Sequence, residues 1–529
     1  AHPIQAGDLL LVCNGVIENH ARLRQELVEK GYKFATSTDT ESLAALLEYY
    51  ALENGGDLFA ALSAAAKRLE GSYACVLMHK SSKKLYAMTQ GCPLVLGIGD
   101  NEIFLASDPL ALARLTNKFI FFEDGDLIAT DSQTCEIRDA SGRKLKRSIQ
   151  QRDIPYSQLE RGDYRHFTEK EIAEQPAVVR DSLSGRLGKT RILTDSLGLP
   201  TNRFDGIKRV HLSACGSAYY AAQIGAYWLQ DLVGIPAHAW LGSEYRYRPV
   251  PVSEDSLFVC VSQSGETADT LAALRLAQQK PYRDSLVVCN VADSIMARTA
   301  PHVLLTRAGR EVSVLSTKAL MVQYVNLLLL ALGIAQEQEK QLERVAAICK
   351  DLHDLPTLLE QTLELNPHIE KLAPQLSGKN NAIFLGRGLQ YYLAAEGALK
   401  MKESSYIHAE VYAAGELKHG PLAIVEDQLP IVALIPRRNP LLLSKMLANL
   451  EEVAVRGGHL IIVSSEENRA DIAPLLTDSA QAVYTPNAGA ELGVMIDLIA
   501  LQLLAYHVAI LRGTDVDQPR NLAKSVTVE

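Results

Sequence analysis

The chain has 529 residues, with 53 Lys plus Arg against 62 Asp plus Glu, a formal charge of −9. That length excludes a single small domain and calls for three or four folding units at roughly 150 residues each. The acidic balance excludes a generally basic nucleic-acid binder, and 47% hydrophobic with 22% charged residues excludes a disordered or fibrous chain.

Eight cysteines, at 13, 75, 92, 135, 215, 260, 289 and 349, form no CxxC pair and no regular ladder. They point to a reducing, cytoplasmic compartment rather than a disulfide scaffold. The opening AHPIQAGDLLLVCNG runs directly into strand-like sequence with neither Met nor an apolar signal segment, as in a chain whose start has been cut. Residues 1–147 alternate short apolar runs (LLLVC, YACVLMH, PLVLGIG, EIFLAS) with two helical stretches near 20–30 and 40–70, an α+β pattern with antiparallel strands. Within it Asn14-Gly15 is either a plain turn at a strand end or an oxyanion donor pair. Asp39 either receives an ammonium group or serves as a helix cap.

A charged, irregular stretch follows, and 148–205 is expected as a linker holding one helix near 169–184. From 206 onward apolar runs of four to eight residues alternate with longer helical segments, the pattern of parallel βα units. This pattern occurs twice. IKRVHLSACGSAYYAAQIGAYWL at 207 aligns with KNNAIFLGRGLQYYLAAEGAL at 379, and RDSLVVCNVADS at 283 with GGHLIIVSSEEN at 457. The segment beginning VLLTRAGREVS at 303 aligns with AVYTPNAGAEL at 482. Three blocks in one order predict two copies of a doubly wound α/β domain, 206–365 and 366–512. The apolar run ALMVQYVNLLLLALGIA contains Gln323 and Asn326, is shorter than a membrane span, and reads as a buried helix.

The sharpest local signal is LFVCVSQSGETADTLAALRLA at 257, an apolar run ending in Ser262-Gln263-Ser264-Gly265 before a helix. Free backbone N–H groups, hydroxyls and a glycine suit a phosphate dianion there; capping of the helix is the alternative. Cys215, Gly216 and Ser217 form a second such turn, whose counterpart FLGRGLQYY keeps the glycine and lacks the hydroxyls. The copies are expected to have diverged, one binding and one acting as scaffold. Glu396, Lys400 and Glu403 share a helical face, either as a tuned general base with its partner or as a surface pair. His419, in GELKHGP, is a candidate for neutral-pH proton transfer. The polar tail from 513 to 529 is either disordered or folds over a pocket with Lys524 as an imine-forming amine.

Taken together, CNGVIENH, STDTE, SQSGETADTL, ALKMKESSYIHAE, AAGELKHGPLA and GTDVDQPRNLAKSVTVE closely resemble the isomerising glutamine:fructose-6-phosphate amidotransferases. The resemblance covers essentially the whole chain. It implies a class II, N-terminal-nucleophile-type glutaminase domain, incomplete at 1–147, followed by two sugar-isomerase domains and a tail, 513–529, closing over the active site. It further implies glutamine hydrolysis, internal ammonia transfer and conversion of fructose 6-phosphate to glucosamine 6-phosphate through a lysine Schiff base. By the same resemblance Ser217, Ser262, Gln263, Ser264, Thr267, Val314 and Ala523 hold the sugar phosphate, and Lys524 forms the imine. Glu403 moves the proton between C1 and C2, His419 assists ring opening from the neighbouring subunit, and Lys400 supports developing charge. His2, Asn14, Gly15 and Asp39 would form the glutamine site. No cofactor or metal is called for; the expected partners are fructose 6-phosphate, glutamine, ammonia and a second copy in a homodimer, with no nucleic acid and no membrane.

Two departures bear on activity. The family's amino-terminal Cys is absent from the sequence as given, which by itself is expected to lack glutaminase activity, and Ala218 stands where relatives often carry Ser. The competing readings are a non-catalytic sugar-phosphate-binding regulatory module and an isomerase using only free ammonia.

Overall fold

The computed structural model describes residues 2–151, 160–200 and 203–526, with only the backbone of Leu110. Two compact units divide the chain near residue 160, with 266–268 and Val526 grouping with the first.

The first unit is α+β. One sheet has seven antiparallel strands, among them Leu9–Ile17 beside Gly71–His79, and a second has four. Leu9, Leu11 and Ile17, on one face of their strand, pack with Leu43, Leu46 and Leu47 of the helix Asp39–Glu53. Where one long helical stretch over 40–70 was expected, there are two, Asp39–Glu53 and Leu58–Ala66. Gly55 and Gly56 at φ +63° and +89° break the run, and the Asp57 carboxylate caps the next helix by accepting from Ala60 N at 3.1 Å.

The second unit contains the doubled pattern. Its first copy has strands β1 (Arg209–Ala214), β2 (Ala237–Leu241), β3 (Ser256–Ser262), β4 (Asp284–Cys289) and β5 (His302–Leu305) in the order β2-β1-β3-β4-β5, all parallel. Its helices include α1 (Gly216–Trp228), α2 (Ala268–Ala277), α3 (Lys318–Glu337) and α4 (Leu342–Leu363). The second copy repeats the order as β7-β6-β8-β9-β10, with β6 (Asn381–Gly386), β7 (His408–Ala413), β8 (Pro430–Leu434), β9 (His459–Ser465) and β10 (Ala480–Thr485). Its helices include α5 (Leu389–Ser405), α6 (Pro440–Ala454) and α7 (Ala490–Arg512).

Every residue of β3 and of β8 is buried, as strands covered by helices on both faces must be. α3 and α7 are each long and apolar enough to cross a membrane, but 94% and 89% of their apolar windows lie inside the protein. One continuous apolar cluster runs from Ile172 through both copies to Val516.

Among the described residues, the 148–205 stretch carries two α-helices where one was expected, Phe167–Ala173 and Gln175–Leu183. Ile172, Val178, Val179 and Leu183 join the apolar cluster of the copies. Their apolar positions are in phase with a helix but sparse, which is why the stretch reads as charged.

Candidate active site

In a 2-1-3-4-5 sheet, the helices leave opposite faces on either side of the gap between the first and third strands, which opens a crevice at their carboxyl ends. In the first copy that crevice receives the turn after β1 and the loop after β3. Ser262, the last residue of β3, is buried, and its Oγ accepts from Gly265 N at 3.0 Å. Gly265 adopts φ +68°, and a Cβ there would stand 2.1 Å from Ser294 Oγ, so only glycine makes this bend. Asn290 N donates to the Gln263 carbonyl at 3.1 Å, and Met296 N to the Gly265 carbonyl at 3.0 Å, fixing the loop from its other side. Thr267 immediately precedes α2.

The tail folds onto this loop. Ser525 Oγ donates to Ser264 Oγ at 3.0 Å, and Lys524 Nζ pairs with Glu311 on the segment between β5 and α3. Asp517 anchors the tail: its carboxylate accepts from Phe167 N at 2.9 Å and Thr168 N at 2.8 Å. Val314, expected at the sugar, donates its N–H to the Asp517 carbonyl at 2.9 Å. Tyr406 Oη accepts from Arg520 N at 2.8 Å. Ala523 is exposed beside Lys524.

Glu311 is fully buried. Burial pushes its carboxyl up, but the Lys524 ammonium and the N–H groups of Thr317 and Ala319 outweigh it and hold the pKa below the ordinary value. Burial and the nearby Glu311 charge raise the Glu171 carboxyl.

On α5, Glu396, Lys400 and Glu403 stand at i, i+4 and i+7. Lys400 Nζ pairs with Glu403 and lies 3.6 Å from Glu396 Oε1. Burial disfavours the Lys400 ammonium, yet Glu403, Glu396 and, more weakly, Glu311 outweigh burial and raise its pKa. The carboxylic acid of Glu396, with no exposed surface, is pushed up to about 7, chiefly by burial and against the pull of Lys400. Glu403 keeps 24% side-chain exposure, so it is the member of the trio that a substrate can reach.

Ser217, at the start of α1, donates its hydroxyl to Glu396 Oε1 at 3.0 Å rather than into the crevice. A buried carboxylate needs a donor. Cys215 is no activated thiol, since burial raises its pKa. His419 ends a 3-10 helix, Ala414–His419, and is exposed; its described contacts include none with Lys400, Glu403 or Lys524.

The structure thus joins the Ser262–Ser264 loop to the tail through Ser264, and Ser217 to the carboxylate–lysine trio. Glu311, Glu396 and Asp517 are central here. Of these, sequence reasoning singled out only Glu396, by its spacing from Lys400.

In the first unit, Asn14 and Gly15 are no turn. They lie inside the nine-residue strand Leu9–Ile17, opposite Ala74 and Tyr73. Gly15 has φ +137°, and a Cβ there would stand 2.2 Å from the Ser72 carbonyl oxygen, so glycine permits close strand approach. Asp39 begins its helix, and its Oδ2 accepts from Ile17 N at 2.8 Å, while the cap itself is Thr38. Asn14 is exposed and Asp39 half-buried; His2 is exposed near the start of the described chain. None of the eight cysteines is disulfide-bonded.

Comparison with known proteins places these features. Residues 204–333 and 375–512 match the SIS domain family, and residues 1–114 match a glutamine amidotransferase domain. The chain is 45% identical over 533 aligned residues to the glutamine–fructose-6-phosphate aminotransferase [isomerizing] of Pseudomonas aeruginosa, covering all of this chain and 86% of that protein. It is 44% identical, with the same coverage, to its Legionella pneumophila namesake. Among solved structures, the C-terminal domain of glucosamine-fructose-6-phosphate aminotransferase from Francisella tularensis matches 68% of this chain and all of that one, with TM-score 0.65 and 39% identity. A Thermotoga maritima glucosamine-6-phosphate deaminase, at TM-score 0.53 and 20% identity over 68% of this chain and 99% of that one, shares the fold. By full-length identity and domain order, the chain belongs to the isomerising glutamine–fructose-6-phosphate aminotransferase family.

Proposed function

We propose that this enzyme converts fructose 6-phosphate to glucosamine 6-phosphate with ammonia drawn from glutamine. The observation that carries the reading is the tail seated on the serine loop: Ser525 meets Ser264 while the neighbouring Lys524 amine reaches Glu311. A phosphate held by the loop would place an open-chain ketose within reach of that amine.

Imine formation requires a neutral amine. Glu311, paired to Nζ, holds that amine in place; once the ammonium proton has left to solvent, Nζ adds to the C2 carbonyl and water leaves. Glu403 would take a proton from C1 and return one at C2, and Lys400 beside it would balance the charge that develops on the sugar. In the finished product ammonia nitrogen occupies C2 and the Lys524 amine is free again. Asn14, Gly15, Asp39 and His2 are proposed for glutamine, with Asn14 and Gly15 as donors to its developing oxyanion. His419 is proposed to act on the ring from a second copy in a homodimer, which suits its exposed position. Eight cysteines without a disulfide support a reducing, cytoplasmic setting.

Borohydride reduction in the presence of fructose 6-phosphate, followed by peptide mass spectrometry, is expected to place a hexitol phosphate adduct on Lys524. An adduct on another lysine in an active preparation would refute the assignment.

A further inference from the structure

The crevice at the carboxyl ends of the first and third strands exists in both copies, and in the second it is an open, arginine-rich cavity. We propose that the second α/β copy carries its own phosphoryl-anion site, shaped for a small hydroxylated phosphate monoester such as a monosaccharide phosphate. The cavity has a volume of about 250 Å³ and lies between the turn after β6 (Arg387, Leu389, Gln390) and the loop after β8 (Pro436–Asn439). These are the topological counterparts of the Ser217 turn and the Ser262–Gly265 loop. The volume falls just below the roughly 300–1,000 Å³ usual for ligand pockets, and so suits one sugar ring rather than a nucleotide sugar.

Charge argues for an anion. Arg344, Arg387, Arg437 and Arg438 line the cavity with two carboxylates, Asp231 and Glu491. Arg344 occupies both of those acids, and Arg437 is neutralised by the buried Asp497. Arg387 has no carboxylate partner among the described residues; its one described hydrogen bond goes to the Asn449 amide oxygen at 3.1 Å. Arg438 is 58% exposed and, among the described residues, its ion pairing is a long contact of 4.0 Å to Glu467. Its backbone sits at φ +48°, unusual for a non-glycine residue. The amino end of the 15-residue helix α6 opens at the same loop and adds its partial positive charge.

A separate observation points to a hydroxylated ligand. Gln390 lines the cavity at 4% exposure, and its Nε2 donates to Asp497 at 3.0 Å. That bond fixes the amide orientation and leaves the buried Oε1 without a hydrogen-bond partner in the described structure. A buried acceptor left unpaired is costly, and a sugar hydroxyl is a donor that would satisfy it.

The test is calorimetric titration of the full chain with fructose 6-phosphate, inorganic phosphate and fructose. Fructose 6-phosphate is expected to fill two classes of site. In the R387M/R438M variant one class should weaken roughly tenfold or more, as loss of charge-assisted hydrogen bonds implies, with the KM for isomerisation unchanged. Ser264→Ala should weaken only the other class. Arg438→Gln, at an exposed side chain, guards against misfolding of the double variant and should weaken the same class in a protein of unchanged melting temperature. A single class of sites, or a second class indifferent to both arginine variants, would overturn the proposal. Equal binding of fructose would overturn the anionic basis. Inorganic phosphate binding as tightly as the sugar phosphate would overturn the hydroxylated ligand and assign the site to free phosphate.

Discussion

The two α/β copies share strand order, helix placement and crevice, yet their loops carry opposite chemistry. After β3 the first copy presents Ser-Gln-Ser-Gly; after β8 the second presents Pro-Arg-Arg-Asn. The first loop is met by the tail through Ser525, next to Lys524 and its ion pair with Glu311, while the second is held from within by the fully buried Arg437–Asp497 pair. A duplicated scaffold therefore fixes where a ligand can sit, and a few loop residues decide what it is. The carboxylate–lysine trio of α5 belongs to the second copy by sequence but bonds to Ser217 of the first, so the proposed active site draws on both copies.

This contrast can be broken at several points. Lys524→Ala should abolish sugar isomerisation, a loss on the order of 10⁴-fold or more if no other amine forms the imine, measured by product formation with glutamine and with ammonia. Asp497→Ala in the second copy should cost about 3–5 kcal/mol by leaving the Arg437 charge buried and unpaired. Denaturant unfolding of the two variants would distinguish them, since Lys524→Ala should leave stability nearly unchanged. Ser264→Ala should raise the KM for fructose 6-phosphate by roughly 10–100-fold, the worth of one hydrogen bond to a charged group, with kcat less affected. Asn439→Ala removes the cap that accepts from Leu442 N at 3.0 Å and should cost about 1 kcal/mol.

A pH test sharpens the same comparison. Glu396 titrates at about 7 when folded against 4.5 for an ordinary carboxyl. Between those values the folded state binds more protons than the unfolded, so this group makes stability fall as pH rises from about 4.5 to about 7. Glu396→Gln should flatten that part of the stability–pH curve, read from melting temperatures across the range. An unchanged slope would show that Glu396 ionises normally.

The doubled α/β fold was legible because parallel strands buried on both faces read as short apolar runs, and because both copies kept glycine after the first strand. The serine loop was legible as a hydroxyl-rich bend between strand and helix, and the tail lysine through the family's motif. What escaped the sequence were long-range partners. Ser217 is matched to Glu396, 179 residues away, and Lys524 to Glu311, 213 residues away. No local pattern announces such pairs. Asn14-Gly15 looked like a turn because that dipeptide so often is one; here the glycine answers to a carbonyl on the neighbouring strand. The second copy read as scaffold because its hydroxyls were missing; the proposed anion site rests instead on arginines of its loops, Arg387 and Arg438.

The apolar cluster that passes unbroken from Ile172 to Val516 limits how this protein could have been assembled or could be taken apart. Cutting between the copies would strip cover from α3 and α7, leaving two sticky fragments instead of two working modules. Engineers wishing to recombine such enzymes should exchange the bends at the strand ends and keep the paired helices as one indivisible chassis.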